Sequence, residues 1–317
     1  MLTAAATGVF PVAVTPFLPD GALDEAGLDR LTDFYIEKGV DGITILGVMG
    51  EAGKLTAAES LVVVRRVVAR AGVPVVVGIT APGFAAMQAL GHEAMAAGAA
   101  GVMAAPGPGL KGDAGLVAYF HMLAGMLPGV PMVVQDFPLV TGVHLPVPVL
   151  LAVAADCPDV VMVKHEDWPG LAKITALRAA QAGGARRLSI LCGNGGQFLP
   201  EELARGADGA MTGFAYPEAL VAMLAAHRAG DGGRVQDIFD ACLPLLRMEA
   251  QPGLGLAVRK HVLWRRGAIP HPGLRQPGGG LDALSVGEVE RLMVRQARRL
   301  AELGLAELAV ADLGVVG

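Results

Sequence analysis

One lysine stands where a buried strand is predicted to end. Lys164 closes the run VVMVK, residues 160–164, and such a continuously apolar run is typical of a strand covered on both faces. Burial at a strand end favours the neutral amine, which can attack a ketone and form a Schiff base. The resulting iminium withdraws electrons from the adjacent carbon. From position alone, a lysine that simply extends into solvent is the slightly favoured alternative.

Two further ionisable residues follow this lysine directly. Side chains alternate along an extended chain, so Lys164 and Glu166 share one face while His165 points to the other. Glu166 is therefore the first candidate for a general acid or base. A salt bridge that holds a neighbouring loop explains the same residue equally well. His165 is predicted to have a structural role.

The other histidines and the cysteines form no pattern typical of a metal site. The histidines in or near predicted helices are His92, His121 and His227, and no pair has the spacing of zinc ligands. The three cysteines lie far apart and include no C-x-x-C, so we expect buried free thiols. We predict neither a metal nor a cofactor.

Eight short apolar segments alternate with longer helical patterns. The segments are residues 8–17, 42–47, 73–79, 101–106, 130–138, 160–164, 187–193 and 208–213. Most are continuously hydrophobic, which indicates parallel strands covered on both faces. Eight strand–helix units are the number that closes a TIM (β/α)8 barrel, an α/β fold whose active site lies at the carboxyl ends of the strands. An open doubly wound sheet is the alternative, but it usually has fewer strands and a G-x-G-x-x-G turn, which is missing from TPFLPDGALD.

The chain divides into a predicted barrel and a helical remainder. The barrel is expected over residues 1–229, and a C-terminal helical extension packed on it over residues 230–317. Helices are predicted at residues 232–250, 252–267 and 285–303. Proline and glycine mark residues 271–282 as a loop.

Composition and charge limit the classes of protein to which the chain can belong. The chain is 53% hydrophobic, but its apolar runs are too short for a membrane span of about 20 residues. No basic residue precedes Arg30, so the charged start of a signal peptide is missing. The net charge of −5 argues against nucleic acid as a partner. We expect a soluble cytoplasmic protein with no nucleic-acid or membrane partner.

The motifs, taken together, resemble one enzyme family. GVFPVAVTPF, GITILGVMGEAGKLTAAE, VKHED, LCGNGG and GADGAMTG occur in the order and spacing of the dihydrodipicolinate synthase / N-acetylneuraminate lyase family of class I lyases. The resemblance covers residues 8–300 and is most specific at the G-x-x-G-E turn, Gly47–Glu51, and at Lys164. It implies a TIM barrel, a Schiff base on Lys164, a pyruvate-type 2-keto acid as substrate, and a homo-oligomer, commonly a tetramer and otherwise a dimer.

The resemblance also implies roles for other residues. The backbone of Gly47, Val48 and Met49 would hold the 2-keto carboxylate. Gln135 occupies the position of the family's proton-shuttling tyrosine, and glutamine cannot exchange a proton at neutral pH. Glu51 is expected to shape the turn by accepting backbone hydrogen bonds.

Further candidates for the substrate site follow the fifth, seventh and eighth strands: Asp136, Gly193, Asn194 and Gly213. A regular strand would turn Asp136 away from the site. Glycines at strand ends let the backbone approach a ligand closely, although they also fit plain barrel packing.

Several positions depart from the family's pattern. Family members usually carry G-T-T-G-E or G-S-T-G-E, so Val48 and Met49 replace two hydroxyl positions. Val140 stands where dihydrodipicolinate synthases have an arginine for the aldehyde's carboxylate, and PGPG at 106–109 replaces their aromatic pair. QDFP, Glu166 and AMTGFAYPE instead resemble the branch that acts on 2-keto-3-deoxy sugar acids, such as the L-2-keto-3-deoxyarabonate dehydratases.

The expected activity is therefore dehydration or retro-aldol cleavage of a 2-keto-3-deoxy sugar acid, with Lys164, Glu166 and Gln135 as catalytic residues. Dehydration is preferred because cleavage needs a base on the C4 hydroxyl and the usual tyrosine is absent. The alternatives are a pyruvate-dependent aldolase or synthase, such as 4-hydroxy-tetrahydrodipicolinate synthase, and a non-catalytic sensor of keto acids. The lysine argues against the sensor, since a buried lysine is costly without a use.

Overall fold

Eight parallel strands form the centre of the molecule. The computed structural model describes residues 1–168 and 170–308. The strands are β1 Gly8–Val9, β2 Ile43–Ile45, β3 Val75–Gly78, β4 Gly101–Ala104, β5 Met132–Asp136, β6 Val160–His165, β7 Ser189–Cys192 and β8 Gly209–Ala210. Their order is β1-β8-β7-β6-β5-β4-β3-β2. A parallel bridge between Val12 and Thr44 joins the segment after β1 to β2, so the sheet curls back on itself. The predicted TIM barrel is confirmed.

Helices cover the outside of the strands. They are α1 Glu25–Glu37, α2 Ala57–Ala71, α3 Phe84–Ala96, α4 Asp113–Met126, α5 Pro138–Thr141, α6 Val147–Asp156, α7 Leu171–Ala182, α8 Leu199–Ala204, α9 Pro217–Arg228, α10 Gly232–Glu249, α11 Gly255–Arg265 and α12 Ala283–Glu302. Helix α2 shows how the sequence sets their ends. Thr56 and Glu59 form a capping box at its start, and Gly72 ends it in the left-handed conformation.

The first strand is shorter than its apolar run. The run over residues 8–17 predicts a long strand, but β1 spans Gly8–Val9. Pro11 and Pro16 have no backbone N–H to donate to a ladder, so regular pairing cannot extend through them. The chain still follows its neighbours: the amide of Phe10 donates to the carbonyl of Ala210 at the end of β8, and the amide of Val12 donates to the carbonyl of Thr212 beyond it.

Two apolar cores follow from the alternation of side chains. A small core fills the barrel interior and consists of Leu2, Phe10, Val12, Val76, Met103, Val133, Met162, Leu191 and Met211. A larger core separates the strands from the helices and includes Val163 of β6. Met162 therefore points into the barrel, and Lys164, two residues later, follows it at the carboxyl end.

The C-terminal helices pack on the barrel. Glu249 of α10 accepts hydrogen bonds from the backbone amide of Ala215, just beyond β8. Lys260 of α11 binds Glu51, which follows β2. The predicted extension runs to residue 317, and its last nine positions, 309–317, lie outside the described residues. Within the described part of the chain, no helix is both long and apolar enough to cross a membrane.

Candidate active site

Lys164, Glu166 and Gln135 form a buried polar group at the carboxyl ends of β5 and β6. The ammonium nitrogen of Lys164 lies 2.9 Å from Oε2 of Glu166. The amide nitrogen of Gln135 donates to the same oxygen at 2.8 Å. Gln135 and Lys164 are paired in register across the two strands. The structure thus brings together the three residues predicted to be catalytic, and Glu166 lies on the face of Lys164, as alternation predicts.

The neighbouring strands hold Glu166 through its main chain. Its backbone amide donates to the carbonyl of Asp136 at 2.9 Å. The side-chain amide of Asn194 donates to the carbonyl of Glu166 at 3.0 Å. A β-carbon at Gly193 would lie 2.2 Å from Cγ of Glu166, so the absence of a side chain there makes room for the glutamate. Gly193 and Asn194, predicted to bind substrate, contact Glu166 instead and do not line the cavity described below.

Asp136 and His165 point to the opposite side of the strands. Oδ2 of Asp136 accepts a hydrogen bond from Lys173 of α7 at 2.7 Å. The same lysine lies 2.7 Å from Asp167. Nε2 of His165 lies 3.1 Å from the carbonyl oxygen of Gly170. The prediction of Asp136 as a substrate ligand is therefore corrected, because the residue is fully buried against α7. His165 anchors the loop after β6, in line with the structural role expected of it.

The turn Gly47–Glu51 is held from the C-terminal helices. Val48–Gly50 form a short 3-10 helix, and Glu51 follows with a positive φ of 53°. Oε1 of Glu51 accepts from Lys260 at 2.6 Å, and Oε2 accepts from Lys54 at 2.8 Å and from the backbone amide of Arg275 at 3.1 Å. The expectation that Glu51 accepts backbone hydrogen bonds within the turn is corrected: its carboxylate binds two lysines and the distant amide of Arg275, and so ties the turn to the C-terminal part of the chain. Burial lowers the pKa of Lys260, and the hydrogen bond with Glu51 opposes that shift.

A cavity of about 370 Å³ opens between this turn and the end of β5. Its lining residues are Leu46, Gly47, Val48, Glu51, Ala52, Gly53, Lys54, Gly78, Thr80, Met103, Ala105, Gln135, Phe137, Val140, Thr141 and Leu256. Gly47, Val48 and Gln135 are the sequence-predicted site residues among them. Met49 packs against the inner core instead.

Gly213, also predicted to bind substrate, does not line the cavity either. A β-carbon at this position would lie 2.4 Å from the guanidinium of Arg259. The close approach of Arg259 therefore accounts for this glycine. Arg259 is itself tied to Glu249 at 3.0 Å, so β8 ends against a buried ion pair from α10 and α11.

Sequence reasoning missed several lining residues. Thr80, Phe137 and Thr141 follow β3 and β5, and the rule that barrel sites form at strand carboxyl ends could have identified them. Leu256 comes from α11, far along the chain, and no local pattern marks it.

The comparison with known proteins establishes the family. The model of the dihydrodipicolinate synthetase family matches residues 5–295. The chain belongs to this family. Members of the dihydrodipicolinate synthetase family are class I Schiff-base lyases, so the chain is an enzyme of this class and the sensor alternative is set aside.

Relatives in the dihydrodipicolinate synthetase family carry different activities. The chain is 33% identical to 4-hydroxy-tetrahydrodipicolinate synthase of Thiobacillus denitrificans, over 94% of this chain and 98% of the relative. It is 31% identical to L-2-keto-3-deoxyarabonate dehydratase of Azospirillum brasilense, over 85% of this chain and 88% of the relative. A crystal structure of dihydrodipicolinate synthase from Rhodopseudomonas palustris superposes with a TM-score of 0.92 at 48% identity, covering 93% of this chain and 99% of that one.

Proposed function

We propose that the enzyme forms a Schiff base between Lys164 and the C2 ketone of a 2-keto acid, and dehydrates a 2-keto-3-deoxy sugar acid. The observation that carries this proposal is the position of Glu166, whose Oε2 contacts both Lys164 and Gln135. A carboxylate in direct contact with the amine supplies the proton transfers that a Schiff-base lyase needs, and Gln135 cannot.

In the first step the amine attacks the ketone. Lys164 must lose a proton to become nucleophilic, and Glu166 is the adjacent acceptor. The substrate carboxylate is held by the backbone amides of Val48 and Met49. These amides begin the 3-10 helix Val48–Gly50, and the first N–H groups of a helix have no partner within it. Attack at C2 gives a carbinolamine. Glu166 then returns its proton to the departing hydroxyl, and loss of water gives the iminium and leaves Glu166 as a carboxylate.

In the second step the iminium accepts electrons from C3. Glu166, as a carboxylate, removes a proton from C3 and gives an enamine. The same carboxyl group, now protonated, donates that proton to the C4 hydroxyl, which leaves as water. A double bond forms between C3 and C4. Loss of a proton from C5 and gain of a proton at C3 convert it to an enol at C4–C5, which becomes the C5 carbonyl, and hydrolysis then frees Lys164. Gln135 orients Glu166 throughout, because its amide donates to the reacting carboxylate.

A second candidate is carbon–carbon bond formation from pyruvate. It is supported by the similarity to the Thiobacillus synthase. The residue at the position of the aldehyde-binding arginine is Val140, which lines the cavity and brings no charge to it. This position counts against aspartate semialdehyde as the second substrate, and dehydration remains the proposal.

Trapping with borohydride tests the Schiff base. Pyruvate or a 2-keto-3-deoxy acid plus borohydride should add the mass of one reduced adduct, which peptide mapping should locate at Lys164. The adduct should disappear in Lys164→Ala. Lys54 lines the cavity, so an adduct mapped to Lys54, or none with any 2-keto acid, would overturn the proposal.

A further inference from the structure

A buried lysine of α11 reaches the turn that the proposed function assigns to the substrate carboxylate. We propose that Lys260 is a positioning residue, which acts through Glu51 on the turn Gly47–Glu51. Its role rests on the proposed function, in which the amides of Val48 and Met49 bind the 2-keto carboxylate. Lys260 keeps these amides in place for that carboxylate, although it belongs to a helix that follows the barrel and does not line the cavity.

The ammonium group of Lys260 is enclosed by protein. It donates to Oε1 of Glu51 at 2.6 Å and to the carbonyl of Gly273 at 2.9 Å. It also lies 4.5 Å from the centre of the Phe17 ring, within the range of a cation–π interaction. A buried charge is costly unless it is paired. Lys260 therefore fixes the Glu51 carboxylate, because separation of the two groups would leave each charge buried without its partner.

Glu51 depends on such support because its backbone conformation is uncommon for a residue with a side chain. Its φ of 53° and ψ of 31° lie in the left-handed region. Glu51 joins two 3-10 helices, Val48–Gly50 and Ala52–Lys54, so its conformation sets the angle between them. Both helices contribute residues to the cavity lining. A change at Glu51 would therefore move the first helix, with its amides, relative to the rest of the cavity.

The two lysines that bind Glu51 differ in exposure. The side chain of Lys54 is 24% exposed, so water can replace its ammonium at Oε2. Oε2 also accepts from the backbone amide of Arg275 at 3.1 Å. The side chains of Lys260 and Glu51 are 0% and 1% exposed, so water has no access to the contact between them. A methionine at position 260 would fill the space and give Oε1 no donor.

A positioning role and a purely structural role predict different effects on ligand binding. The turn is proposed to hold the carboxylate of the substrate, whereas Lys164 binds its ketone. Displacement of the turn should therefore weaken a ligand that has a carboxylate and spare one that lacks it. A general loss of stability would not distinguish the two ligands.

Pyruvate and hydroxyacetone make this comparison. Hydroxyacetone is the same methyl ketone with a hydroxymethyl group in place of the carboxylate. The concentration that gives half-maximal borohydride trapping at Lys164 is measured for each by intact mass and peptide mapping. In Lys260→Met we expect this concentration to rise by about tenfold or more for pyruvate, the effect of losing a hydrogen bond to a charged group. For hydroxyacetone it should stay unchanged.

Arg265→Met is the matched control. Arg265 lies on the same helix, pairs with Glu290 of α12 at 2.7 Å and does not line the cavity. Its values for both ligands should equal those of the unmodified enzyme. The double variant Glu51→Gln/Lys260→Met removes both charges of the pair, so no unpaired charge remains buried there to oppose folding. It should show the same selective loss as Lys260→Met.

Two results would overturn the positioning role while leaving the Schiff base intact. One is an unchanged pyruvate concentration in Lys260→Met or in the double variant, and the other is an equal rise for pyruvate and hydroxyacetone. Failure of the unmodified enzyme to form any pyruvate adduct would instead overturn the proposed function, and the role of Lys260 with it.

Discussion

Gly193 and Glu166 are packed so closely that a β-carbon on Gly193 would lie 2.2 Å from Cγ of Glu166. The amide of Gly193 also donates to the carbonyl of His165 at 2.8 Å, so the glycine backbone cannot simply withdraw. Gly193→Ala should displace the Glu166 side chain from Lys164. We expect the borohydride adduct to persist while turnover falls by about 10²-fold or more, the contribution typical of a general acid–base group.

Gly107→Ala serves as the control for this prediction. Gly107 follows β4, and a β-carbon there would have no atom within 4 Å. Its turnover should match that of the unmodified enzyme. A Gly193→Ala protein with full activity would show that the position of Glu166 does not limit the reaction.

Glu166→Gln should separate adduct formation from the later proton transfers. The amide keeps the size of the side chain but cannot take a proton from C3. We expect the trapped adduct to remain and turnover to fall by about 10²–10⁴-fold. Glu201→Gln, an exposed carboxylate on α8, is the control. Unchanged turnover in Glu166→Gln would remove Glu166 from the mechanism.

The products distinguish dehydration from cleavage. Both reactions begin with the iminium on Lys164, but dehydration keeps the C3–C4 bond and cleavage breaks it. We expect a keto-aldehyde or a diketo acid from a 2-keto-3-deoxy sugar acid, with no pyruvate, as measured by mass spectrometry and a coupled pyruvate assay. Stoichiometric release of pyruvate would favour the aldolase alternative.

Condensation of pyruvate with aspartate semialdehyde should be negligible. The semialdehyde carries a carboxylate at its far end, and the described cavity lining offers it no free cation. The rate should lie far below turnover of a 2-keto-3-deoxy sugar acid under the same conditions. Efficient condensation would mean that this enzyme recognises the semialdehyde without the arginine found in the synthases.

Glu202 should make stability depend on pH. Burial raises the pKa of this α8 carboxyl group from its ordinary value of 4.5 to about 7, and its Oε2 has no hydrogen-bond partner. The folded protein therefore keeps a proton that the unfolded chain releases. The free energy of unfolding should fall as pH rises from about 4.5 to 7, by up to about 3 kcal/mol.

Glu202→Gln should reduce this dependence and leave the part contributed by Glu249, whose pKa burial also raises to about 7. The free energy of unfolding is measured with urea for both proteins at pH 5 and pH 8. The difference between the variant and the unmodified enzyme should shift in favour of the variant at pH 8. Glu37→Gln, an exposed carboxylate on α1, should leave the pH dependence unchanged. A Glu202→Gln protein with the original pH dependence would show that another group titrates in this range.

Local patterns in the sequence determined the architecture and the pairing of Lys164 with Glu166. Continuous apolar runs predicted all eight strands because strands covered on both faces have little polar surface to display. Alternation predicted that Glu166 shares the face of Lys164, since the period of two is a property of the extended backbone itself. The observed contact of 2.9 Å follows from that local geometry.

Only the tertiary structure decided what surrounds this pair. The sequence predicts Gly193 and Asn194 as substrate ligands, but the register of β6 against β7 brings them to Glu166. Lys260 reaches Glu51 from 209 positions away, and Leu256 closes the cavity from the same helix, α11. Such contacts depend on how distant elements pack, and periodicity along the chain carries no information about the partner. The backbone's own geometry therefore determines which face a side chain takes, while packing between elements decides what that side chain meets.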